Sequence, residues 1–186
     1  MAGSVARVTP HAMSTRTQNL LGFPQEALGA SGWGHTPDMD WNHYRFRTLW
    51  SVPAPLAEVY AVLERVEDYP RWWPQVRLVT RLNDSTGVLT MRSLLPYDIT
   101  VTAREARRDP ATGVLEIAMS GDLDGWARWT LTADGAGTLA RYDQVVDVHK
   151  PMLRRFAVLG RPVFRVNHRL MMRAGRRGLC AHLEAV

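Results

Sequence analysis

Between residues 76 and 149 the chain carries short turn signals at close intervals, and this restricts its fold more than any other feature. Asn83-Asp84-Ser85-Thr86-Gly87, Pro96, Asp109-Pro110-Ala111-Thr112-Gly113, Gly121 and Ala133-Asp134-Gly135-Ala136-Gly137 separate six stretches that read as strands. They fall at 76–83, 87–95, 97–106, 113–120, 123–132 and 138–149. Gaps this short cannot hold a crossover helix, so the strands pair as antiparallel hairpins.

A further strand precedes them. From His43, the residues Tyr44, Phe46, Thr48, Trp50 and Val52 alternate with more polar neighbours, which gives one mostly apolar face. Pro53 and Pro55 end it, and Pro55 suits the first turn of a helix. Leu56, Val59, Tyr60, Val62, Leu63 and Val66 then recur at helical spacing. Asp68-Tyr69-Pro70 breaks that helix, and Arg71-Trp72-Trp73-Pro74 fits a second short helical turn.

After the last strand, Pro151 opens an amphipathic helix of up to about 35 residues, with a bend expected at Gly160-Arg161-Pro162. Apolar and small residues form one stripe; Arg161, Arg165, Arg169, Arg173 and Arg177 step by four along another. The net charge of the chain is +5, but residues 151–186 hold eight arginines against Glu184 alone. The basic character therefore belongs to this one element. The fold class is α+β: an antiparallel sheet of about seven strands, two short helices after the first strand, and a long final helix.

The chain has 186 residues, enough for one domain with a sizeable core. Residues 1–40 are rich in Gly, Ser, Thr and Pro and keep no period, so they are expected to be a disordered extension to a domain at 41–186. Cys180 is the only cysteine, which rules out an intrachain disulfide and fits a reducing, cytoplasmic setting. No apolar run long enough to span a membrane and no apolar signal-peptide core is present. HExxH, CxxC, Gly-rich phosphate loops and nucleophile elbows are missing, and the six histidines have no close ligand spacing. No metal or cofactor is expected.

The order of elements, with these residues, resembles the START-like helix-grip superfamily, also called SRPBCC, and within it the polyketide cyclase/dehydrase group. The resemblance covers about residues 43–184. It rests on the first strand with Val52-Pro53-Ala54-Pro55, then Val59-Tyr60-Ala61-Val62-Leu63, and Tyr69-Pro70-Arg71-Trp72-Trp73-Pro74. Gly121-Asp122-Leu123-Asp124-Gly125, Trp129, Gly137-Thr138, Phe164, Asn167-His168, Met171 and Gly178-Leu179 complete it. It implies a sheet curved around the last helix with an apolar cavity between them. Members of the superfamily bind lipids, quinones, hormones or polyketides.

Strand alternation then nominates the cavity lining: Phe46, Thr48, Trp50, Tyr97, Ile99, Leu115, Ile117, Met119, Ala127, Trp129, Tyr142, Gln144 and Val146. Met91 stays open, because its strand is apolar on both parities. The final helix adds Phe156, Val163, Phe164, Asn167 and Met171. The expected ligand contacts are Trp50, Trp73, Tyr97, Met119, Trp129, Tyr142, Gln144, Phe164, Asn167 and Met171. A filled core also satisfies this pattern. The mixture of aromatics and methionines with a few polar groups favours a pocket.

Asn167 is the most informative of these residues, because an amide on an apolar stripe needs partners. Asn167, Tyr142 and His168 are the candidates for proton transfer or carbonyl orientation. Asp98, Arg104, Asp143 and Asp147 fall on the outward parity and are expected to make surface pairs. Three functions fit: binding an apolar lipid, quinone or polyketide-like molecule, polyketide cyclisation or dehydration, or a basic surface contacting anionic membrane or RNA. The membrane contact would use Arg161, Arg165, Arg169 and Arg173. Nucleic acid is disfavoured, because no stacking aromatics are interleaved on that face.

Overall fold

The computed structural model describes residues 42–92, 98–149 and 157–185, with side chains in the last stretch from residue 162. The expected extension at 1–40, the turn at Pro96 and the helix start at Pro151 lie outside the described residues.

Seven strands make one antiparallel sheet: β1 (His43–Val52), β2 (Val76–Asn83), β3 (Thr86–Arg92), β4 (Asp98–Asp109), β5 (Val114–Gly121), β6 (Leu123–Asp134) and β7 (Gly137–Val148). The order is β1-β7-β6-β5-β4-β3-β2, so every strand from β2 to β7 lies beside its neighbour in sequence. Only β1 is placed by a long connection. It pairs with β7 from His43↔Asp147 to Val52↔Thr138. Between β1 and β2 lie α1 (Leu56–Glu64), a 3-10 turn (Val66–Asp68) and α2 (Tyr69–Trp72). The last helix, α3, runs Ala157–Glu184 and continues through Pro162.

Two expectations need correction. Helical spacing predicts a first helix as far as Val66, with Asp68-Tyr69-Pro70 as its break. In fact α1 ends at Glu64, and Pro70 sits in the first turn of α2, where its missing N–H costs nothing. Pro70 therefore helps to start a helix here. The strand expected at 97–106 also runs longer, since β4 reaches Asp109. An irregularity between Glu105 and Arg107 absorbs one extra residue, and pairing resumes at Arg107↔Glu116.

The β5–β6 connection shows why Gly121-Asp122-Leu123-Asp124-Gly125 holds glycine at its end. Gly125 has φ 146°, and a Cβ there would lie 2.0 Å from the carbonyl oxygen of Val145. The two aspartates between the glycines stabilise the turn. Asp122 accepts from the Thr100 N–H at 2.9 Å, and Asp124 accepts from the Gly121 N–H at 2.8 Å.

The core forms two adjoining groups. One holds Trp50, Leu63, Tyr69, Trp72, Trp73, Met172 and Leu179, where α1, α2 and the C-terminal half of α3 meet. The other holds Tyr44, Ile99, Val101, Met119, Val146 and Phe164, along the sheet under the N-terminal half of α3. Glycines allow the first contact to be close. A Cβ on Gly178 would lie 1.7 Å from the Trp72 carbonyl oxygen, and one on Gly175 would lie 2.6 Å from the Trp73 ring. The Trp73 indole N–H also donates to the Met171 carbonyl at 3.2 Å. The C-terminal half of α3 is thus fixed to α2, and that position holds its N-terminal half over the sheet.

Candidate functional site

A cavity of about 250 Å³ lies between the sheet and α3. Strand pleating explains its lining. On β4, Ile99, Val101 and Ala103 share one parity, as do Leu115, Ile117 and Met119 on β5, and all six face inward. Ala127 and Trp129 of β6, with Tyr142, Gln144 and Val146 of β7, continue the wall. Phe164, Asn167, His168, Met171 and Met172 of α3 form the roof. Their spacing of three and four puts them on one side of the helix.

Aromatic rings run along one side of the cavity. Trp73 meets Trp50 at 5.7 Å between centroids, Trp50 meets Trp129 at 4.7 Å, and Trp129 meets Tyr142 at 4.8 Å. His168 continues the line, at 6.1 Å from Tyr142 and stacked on Phe46 at 4.0 Å.

Beneath α3, Tyr142, Gln144, Asn167 and His168 interrupt this apolar surface. Burial pushes the Tyr142 phenol well above the ordinary tyrosine range, so it keeps its proton and offers an O–H. Burial lowers the His168 imidazole to about 4, so it is neutral near pH 7. Its Nε2 is buried and has no hydrogen-bond partner among the described residues. Asn167 is buried, and its amide N–H donates to the Met171 sulfur at 3.5 Å. Sulfur is a weak acceptor, so the amide gains little from it. A neutral imidazole, a protonated phenol and two amides can orient the carbonyl or hydroxyl groups of an otherwise apolar molecule.

The polar rim lies toward α1 and the β2–β3 hairpin. Arg81 of β2 donates through both Nε, at 2.7 Å, and a terminal nitrogen to Glu67 of the 3-10 turn. Arg108 of β4 reaches Glu64 of α1 at 2.9 Å and Glu105 at 2.7 Å. A hydrogen bond to its own backbone N–H, aided by Arg81, holds the Glu67 carboxyl below its usual range. These pairs are partly exposed, and pairs of this kind contribute about 0–1 kcal/mol each.

The nominated residues fall into three groups. Trp73, Met119, Trp129, Tyr142, Gln144, Phe164, Asn167 and Met171 all line the cavity, and so does the proton-transfer candidate His168. Trp50 does not. It is 1% exposed and is packed against Trp73 and Trp129, whose rings stand between it and the cavity. Val163 is also corrected. It is 46% exposed on the outer side of α3, since it precedes the inward Phe164 by about 100° of helical turn. Tyr97 and Phe156 lie outside the described residues.

Met91 lines the cavity, which decides its open parity. Tyr44 and Val101 also line it, unforeseen although each shares parity with a nominated neighbour. The rim residues Glu64, Glu67, Arg81 and Arg108 carry no local signal, because they converge from separate elements. Of the outward charges, Asp98 pairs with Arg92, Asp143 with Arg47 and Arg141, and Asp147 with His43.

Several solved structures share this architecture. A protein from Thermus thermophilus superposes with a TM-score of 0.68 at 16% identity, covering 76% of this chain and 98% of that one. The Zhui aromatase/cyclase from a Streptomyces species gives 0.62 at 17% identity, covering 76% and 94%. A START superfamily protein from Mycobacterium smegmatis gives 0.61 at 16%, covering 76% and 97%. At these identities the likeness shows the START-like fold. No curated protein matches the chain by sequence. The family model described as polyketide cyclase / dehydrase and lipid transport matches residues 52–174, most of the chain, so this protein belongs to that family.

Proposed function

We propose that this protein binds an apolar small molecule with a few oxygen functions, of the lipid, quinone or polyketide kind, in the cavity beneath α3. The observation that carries the reading is the composition of that cavity. Beneath α3 its walls are aromatic, aliphatic and methionine side chains, and the polar groups there, Tyr142, Gln144, Asn167 and His168, are uncharged near neutral pH, while Glu64, Glu67, Arg81 and Arg108 stand at the rim. A permanently charged group carried into that interior would meet no counter-ion among these four, and desolvating it would be costly. Family membership supports the same reading. Native mass spectrometry of the purified chain against fatty acids, isoprenoid quinones and polyphenolic aromatics is expected to show a one-to-one complex with at least one class. No uptake across the panel would overturn the reading.

A second reading has an observation of its own. Tyr142 and His168 lie side by side on the cavity surface, one a donor and the other a neutral acceptor. That pairing suits cyclisation or dehydration of a poly-β-ketone. The imidazole would take a proton from an activated methylene, and the phenol would stabilise the enolate oxygen. Holding the reacting carbons together would supply much of the rate. On this reading Tyr142→Phe and Asn167→Ala each lower turnover of a poly-β-ketone substrate by about 10²-fold or more. Unchanged rate and product pattern in both variants would assign the site to binding alone.

A further inference from the structure

The outer face of α3 carries two stripes side by side. Arg165, Arg169 and Arg173 are exposed and step by four. Val163, Val166 and Leu170, at 46%, 51% and 39% exposure, lie beside them at spacings of three and four. Among the described residues, Arg165, Arg169 and Arg173 form no ion pair, and no acid occurs between 157 and 183. A face that served only solubility would carry mixed charges and leave out exposed valine and leucine. Singly scattered apolar residues are ordinary on surfaces. Here, however, three of the six large exposed apolar side chains of the described residues sit on this one stretch of helix.

We propose that this face docks the protein on an anionic lipid surface. Arginines would meet the headgroups, while Val163, Val166 and Leu170 enter the boundary with the acyl chains. Charge complementarity selects an anionic partner. The apolar stripe selects a lipid over a nucleic acid, because this outward stripe bears no aromatic side chain to stack on bases. The opposite side of the same turns holds Phe164, Asn167 and Met171 over the cavity. Docking therefore uses no residue of the ligand site, and the proposal does not depend on what the cavity binds.

The test is co-sedimentation of the full chain with phosphatidylcholine vesicles, with and without phosphatidylserine as about a third of the lipid, over a salt series. The protein is expected to bind the anionic vesicles only, and to be released as salt rises. With each basic residue contributing about fivefold, the Arg165→Gln, Arg169→Gln, Arg173→Gln triple variant should lose roughly a hundredfold in partitioning. Val166→Ser with Leu170→Ser should lose several-fold while keeping the salt dependence. All five positions are exposed, so melting temperatures should match the parent, and the parent's own salt series decides the matter if a variant does not fold. Three results would overturn the proposal: no binding to anionic vesicles, full binding by the triple variant, or binding to single-stranded RNA at least as tight and indifferent to Val166 and Leu170.

Discussion

At the scale of single residues, the cavity's chemistry follows from burial acting on a few polar groups. His168 shows the effect best. Its pKa falls from 6.5 to about 4, because charging it in the cavity forfeits hydration and the described neighbours offer no compensating carboxylate. The unfolded chain takes up a proton near 6.5 that the folded chain resists until about 4. This contribution to stability is therefore complete above 6.5 and is lost as pH falls toward 4. For one proton, the slope is up to about 1.4 kcal/mol per pH unit. In denaturant melts the parent is expected to lose stability relative to His168→Phe, which keeps a planar ring against Phe46, as pH drops through that window. An equal acid slope in both would show that His168 is not buried as described. Asn167 can be picked out from sequence because an amide interrupts an apolar stripe. His168 is harder to read, since 100° of helical turn places it at the edge of that stripe, and only the packing of Phe46 draws it inward.

The elements divide the work within α3. Its C-terminal half anchors the helix and its N-terminal half roofs the cavity, and the glycines mark the anchor. Gly178→Ala should raise intrinsic helix stability by about 1 kcal/mol. The added methyl would nevertheless meet a backbone oxygen at 1.7 Å, which no rotamer change can relieve. Overpacking of this kind costs up to about 3 kcal/mol, so the net expectation is destabilisation by about 2 kcal/mol. Chemical denaturation of Gly178→Ala checks this. A variant as stable as the parent would mean that α3 is not held against Trp72.

The hairpins from β2 to β7 are legible because each turn carries its own glycine, proline, asparagine or aspartate. The ends of α1 and β4 are not. Pro70 starts a helix or stops one according to what precedes it, and the irregularity near Ala106 depends on the pairing partner. The tight contact of Gly175 and Gly178 with Trp72 and Trp73 joins segments about a hundred residues apart, and nothing local announces it.

For the molecule as a whole, the sheet and α3 enclose a space that the surrounding core does not fill. Interiors usually pack to crystal-like density, so a cavity of about 250 Å³ amid well-packed tryptophans stands out from the rest of the core. Its rim carries exposed ion pairs of small energy, Arg81 to Glu67 and Arg108 to Glu64, which the proposed ligand would have to part on entering there. Among the described residues no helix is long and apolar enough to cross a membrane. The most direct test is to fill the space. Ala127 is buried in the cavity wall, opposite Gln144, and Ala127→Phe would place a ring where a ligand is proposed to lie. Trp73 and Trp129 in the same wall report occupancy through their fluorescence. Titration with the ligand class found by mass spectrometry is expected to quench the parent saturably and to leave Ala127→Phe unchanged while that variant still melts cooperatively. Equal quenching in both proteins would contradict the central claim, because the molecule would then be bound somewhere other than beneath α3.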